Sequence, residues 1–144
     1  MKKILLLFIF LGIGSYGFGQ IKLSWELLSD VSFKAVYFEE HATEFLVPTF
    51  GQGPKMFDGK EVIVSGYFIP LSKDNKRFVL SKMPYASCFF CGASGPETIV
   101  EIITKPEFKQ KFKLDQYINI KGTLQLNKGD VNHFNYILKD AESF

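Results

Sequence analysis

Cys88 and Cys91 are the chain's two cysteines, spaced C-x-x-C in Met83-Pro84-Tyr85-Ala86-Ser87-Cys88-Phe89-Phe90-Cys91-Gly92-Ala93-Ser94-Gly95-Pro96. Two thiols at this spacing can close a small disulfide, exchange electrons, or offer two soft ligands to a metal. A metal needs two more ligands, because the pair supplies half of a tetrahedral shell. His133 and Glu97 are the candidates to complete it, with Asp130 the next acidic side chain by sequence and His41 a weaker second histidine. Thiolate softness ranks zinc first and copper(I) second. A thiol-disulfide exchange module would place its first thiol at a helix N-terminus in a βαβ setting, and no such alternation is present. A closed C-x-x-C ring is tight, and strain makes such a bond reducible. His133 also suits a plain surface position, and Phe89 and Phe90 are expected to plug the mouth of a barrel rather than stack on nucleobases. No Ser-His-Asp spacing, phosphate loop or nucleotide fingerprint occurs, so no catalytic residue is assigned and the reading leans away from an enzyme.

The setting of the thiols follows from the first residues and the charge. Residues 1–19 read as a secretory signal: Lys2 and Lys3 open it, Ile4 to Ile13 is apolar, and Gly17-Phe18-Gly19 is a small-x-small cleavage site. Removing 19 of 144 residues leaves 125, enough for one compact domain. The whole formal charge of +2 resides in the two leader lysines, so the mature chain is near neutral, which argues against a nucleic-acid partner. No later segment is apolar enough to span a bilayer. Export to a periplasmic or extracellular space favours either a disulfide or a protected thiol pair. The partner expected is a metal ion or another exported protein.

The elements that must position the loop are mainly β. Ser24 caps a short helical turn over Trp25 to Leu28, and strands are expected near Lys34 to Phe38 and Glu44 to Val47. Gly51-Gln52-Gly53-Pro54 and Asp58-Gly59 punctuate the chain. Glu61 to Pro70 reads as a long strand with Gly66 at a bend or bulge, and Arg77 to Ser81 pairs back on it. After the cysteine loop, Thr98 to Ile103 forms a third strand. Thr104-Lys105-Pro106-Glu107 matches a capping box, with Phe108 and Phe112 on one face of a short helix whose lysines are solvated. Ile118, Ile120, Gly122, Leu124 and Leu126 alternate with polar residues in a fourth strand over Tyr117 to Leu126. Asn127-Lys128-Gly129-Asp130 turns the chain into a fifth, His133 to Lys139. Three strands, a short helix and two strands is the order of a five-stranded OB-like Greek-key barrel. The barrel would occupy residues 58–144 and carry an N-terminal extension over 20–57, the alternative being another small barrel or an open antiparallel sheet.

In Trp25 with Leu28, Asp58-Gly59-Lys60-x-Val62, Gly66-Tyr67-x-Ile69-Pro70-Leu71, Phe78-x-Leu80 and Ser87-Cys88 ahead of Pro96, the chain resembles the DUF3299 family of exported bacterial proteins. The likeness covers most of Trp25 to Gly122. The family pattern has a histidine two residues after its cysteine and a proline run, where this chain has Phe90 and Gly92-Ala93-Ser94-Gly95. The role of that histidine therefore does not transfer, and Cys91 either replaces it as a ligand or turns the site into a disulfide. The resemblance implies an exported, non-enzymatic accessory protein linked to metal handling or transport. The residues and the resemblance together lead to an exported binding protein whose loop holds zinc or copper through Cys88, Cys91, His133 and Glu97. A redox module and an interaction barrel with a structural disulfide are the alternatives.

Overall fold

The computed structural model describes residues 19–73 and 77–144, so the leader expected over 1–19 lies outside the described residues apart from Gly19. Ser24 caps α1 (Trp25–Leu28), its hydroxyl accepting from the Leu27 amide at 3.4 Å. β1 (Val31–Phe38) and β2 (Thr43–Phe50) form an antiparallel hairpin in register from Val31 opposite Phe50 to Phe38 opposite Thr43. The Gly51 to Pro54 punctuation contains a single helical turn, α2 (Gln52–Lys55). Pro54 is tolerated there because first-turn amides lack intrahelical partners anyway.

Five strands follow: β3 (Glu61–Pro70), β4 (Arg77–Ser81), β5 (Ile99–Thr104), β6 (Tyr117–Leu126) and β7 (Tyr136–Ser143). They close in the order β3-β4-β5-β7-β6, with β5 and β7 parallel and the other pairs antiparallel. This is the expected OB-like barrel. On β6 the alternation is realised, with Ile118, Ile120, Gly122, Leu124 and Leu126 buried. β3 pairs with β6 up to Tyr67 and with β4 from Tyr67 onward, so it changes neighbours beside Gly66. A Cβ on Gly66 would lie 2.8 Å from the Ser81 carbonyl oxygen and 3.1 Å from the Trp25 ring, which is why the bend takes glycine.

The barrel interior is filled by Val62, Val64, Phe68, Phe78, Leu80, Ile102, Ile120, Leu124 and Leu138 among others. Residues of the extension pack onto the same core through Leu23, Leu28 and Phe50. Trp25 Nε1 donates to the Ser65 carbonyl at 3.0 Å, and the buried Tyr136 hydroxyl donates to the Leu28 carbonyl at 2.5 Å.

Two expectations are corrected. The segment between β5 and β6 contains turns and no helix. Thr104 cannot cap one because it remains in the ladder, opposite Ala141, and the Lys105 amide donates to the Ala141 carbonyl at 3.1 Å. Phe108 and Phe112 nevertheless pack on the barrel core, their rings 6.2 and 6.3 Å from Phe78, so the irregular segment does the packing expected of the helix. The last strand also begins later than His133. Asn127 donates through Nδ2 to the carbonyls of Asp130, His133 and Phe134, stabilising a loop rather than a tight hairpin turn, and His133 lies in that loop.

Candidate functional site

The cysteine loop joins β4 to β5 through three single-turn 3-10 segments, Tyr85–Ser87, Phe89–Cys91 and Pro96–Thr98. Its apolar anchor is Cys88, fully buried with Ile69, Val79 and Ile99 in a second cluster, against which Phe89 and Phe134 pack. Phe89, Phe90 and Phe134 meet edge to face at 5.7 to 6.5 Å. They join the loop to the β6–β7 loop through this second cluster, apart from the core that fills the barrel. Cys91 is exposed, and Gly92 closes its turn at φ 71°, a left-handed conformation suited to glycine.

Both thiols are free. The Cys91 thiol donates to the Tyr85 carbonyl at 3.0 Å, and Cys88 is its near neighbour in the turn. Partial loss of water, then the neighbouring Cys88 thiol, push Cys91 above the ordinary thiol range. The 3-10 turn is too short to lower it through a helix dipole.

The other sequence-assigned ligands are engaged elsewhere. The Glu97 carboxylate folds back over Gly95, where an added Cβ would collide with it. His133 Nδ1 lies 3.1 Å from each oxygen of Glu101, and His41 meets Phe45 edge to face at the hairpin tip. Asp130 accepts from the Asn132 backbone and side chain, which lowers its pKa. Among the described residues, no group of three or more His, Cys, Asp and Glu side chains converges as a metal cage.

A second polar centre was not assigned from the sequence. Glu101 stands in the apolar run Ile99-Val100-Glu101-Ile102-Ile103 and is fully buried. It accepts from Arg77 Nη2 at 3.1 Å, from the Phe134 amide at 3.0 Å, and from the His133 ring. Because Val79 stands opposite Glu101, Arg77 is its diagonal neighbour on the same face of the β4–β5 pair. A lone carboxylate in an otherwise apolar buried strand was the available signal, since burial obliges it to find partners.

Beside this centre, a cavity of about 310 Å³ opens between β2, the β6–β7 loop and the cysteine loop, with Phe45, Val47, Phe89, His133 and Phe134 in its walls. A DUF3299 family protein from Pseudomonas aeruginosa superposes on this architecture with a TM-score of 0.52 and 18% identity, over 88% of this chain and 97% of that one. The fold is that of a DUF3299 protein. The loose resemblance carried by Trp25, Gly66-Tyr67 and Ser87-Cys88 thus holds at the level of architecture. No family model matches the sequence. No curated protein matches it either. Among the described residues, no helix is long and apolar enough to cross a membrane.

Proposed function

We propose that this DUF3299-like chain is an exported, non-enzymatic accessory protein whose Cys88/Cys91 pair binds a thiophilic ion, copper(I) ahead of zinc. One observation carries the reading: two free thiols are neighbours in one turn, one buried and one exposed, with no third ligand group beside them among the described residues. Zinc in such a place would lack half its shell, whereas copper(I) is satisfied by two soft sulfurs in line. This reverses the order that softness alone suggested, and it leaves His133 and Glu97 outside the proposed shell. Buried Cys88 supplies a dry seat and exposed Cys91 the entry. Because the Cys91 thiol holds its proton tightly, ion uptake must displace that proton and should weaken as pH falls.

The same proximity in the turn supports a second reading, closure to a disulfide after export, which would staple the loop beneath Phe89 and Phe134. Exchange activity is the less favoured role, since a raised thiol pKa leaves little thiolate to attack. Native mass spectrometry of reduced mature protein with copper(I), then with zinc, tests the assignment. The expected result is one copper per chain, lost in Cys88→Ser and in Cys91→Ser, with no retained zinc. Protein that takes up no copper after reduction, and that leaves the exporting cell two hydrogens light with no alkylatable thiol, would assign the disulfide instead.

A further inference from the structure

Independently of the thiol reading, we propose that the cavity beside His133 is a binding site for a small aromatic molecule carrying a hydroxyl group, which donates to His133 Nε2. The cavity of about 310 Å³ is at the lower end of small-molecule sites, roughly 300 to 1,000 Å³. Its apolar walls include Phe45, Phe89 and Phe134, and the latter two already meet edge to face at 6.5 Å, the arrangement that receives another flat ring.

Glu44, Lys128, Asp130, Asn132 and Asn135 also line the cavity, but His133 is the polar side chain of its wall that a buried carboxylate fixes in place. Glu101, its side chain 1% exposed, takes the Nδ1 proton of His133, which leaves Nε2 as the ring nitrogen with no partner among the described residues. Arg77 shares the carboxylate, so the buried negative charge of Glu101 is already paired. A fixed lone pair beside aromatic walls selects an O–H donor on an apolar body. Five consecutive residues of β2, Glu44 to Pro48, line the opposite side. Among the described residues β2 pairs only with β1, so its other edge, beside the cavity, offers backbone groups that can take further polar substituents.

If Glu101 and His133 served only to pin the loop, ligand affinity would not depend on the histidine. Naphthol and methoxynaphthalene, which share a ring system and differ in the donor hydrogen, separate the cases by isothermal titration calorimetry. Naphthol is expected to bind more tightly. His133→Phe should weaken naphthol by about tenfold while leaving methoxynaphthalene unchanged. Phe45→Arg, on the hairpin and away from Glu101, should abolish binding of both with thermal melting preserved. Naphthol that fails to bind, or that binds His133→Phe or Phe45→Arg like the parent protein, would overturn the proposal. So would sedimentation showing a dimer that Phe45→Arg dissociates, which would give the cavity to a second copy.

Discussion

Glu101 shows how a single side chain can organise two loops and a strand. Its carboxylate is out of water, yet three donors from β4 and the β6–β7 loop converge on it. The partners are not equivalent. Arg77 is 57% exposed and can return to water, whereas the Phe134 amide and the His133 ring depend more on the carboxylate. Glu101→Ala is therefore expected to cost about 2–3 kcal/mol in urea unfolding, and Arg77→Ala less than about 1 kcal/mol. Glu101→Gln retains an acceptor oxygen and should fall between them. Equal costs for Glu101→Ala and Arg77→Ala would mean that the exposed ion pair dominates.

Between elements, charge ties the end of the barrel together. Glu142 on β7 accepts from Lys105, just after β5, at 2.7 Å and pairs with Lys121 on β6 at 2.9 Å. Hydrogen bonds from the two lysines, followed by their charges, push the carboxyl down from 4.5 to about 2. A folded value below the unfolded one means stability that is complete above about pH 4.5 and is lost as pH falls through about 2. Glu142→Gln should therefore flatten the acid limb of a urea-midpoint titration between those pH values, more visibly at low salt because the group is solvated. Parallel acid limbs in parent and variant would deny the bridge that role. The same strand end explains the missing helix: Thr104 has capping chemistry in sequence, but its backbone is already paired across to β7.

For the molecule as a whole, the extension and the barrel share one core. Leu23, Leu28 and Phe50 lie in the same buried cluster as Val64 and Leu138, and Tyr136 on β7 bonds to the end of α1. Burial raises the Tyr136 pKa, so the hydroxyl stays protonated and donating across the physiological range. Tyr136→Phe should cost about 1 kcal/mol, the net worth of one buried hydrogen bond. A chain starting at residue 58 should lose its cooperative thermal transition and its near-ultraviolet circular dichroism. Retention of both would show that the barrel folds alone.

The period-two pattern of Tyr117 to Leu126, the glycine bend at Gly66 and the Ser24 cap were legible in sequence because each depends on local geometry and on which side chains avoid water. From them the OB-like order followed. The C-x-x-C spacing likewise marked the loop as the place to look for chemistry, since two thiols that close in sequence stay close in almost any turn. What the sequence left open was which distant side chains meet. Tertiary structure joined His133 to Glu101 instead of to the thiols, converted the expected helix into irregular chain, and moved the start of the last strand beyond the loop held by Asn127. The physical reason is the same in each case. A buried carboxylate, a strand edge or a loop carbonyl must find a hydrogen-bond partner, and closure of the barrel decides which one is within reach.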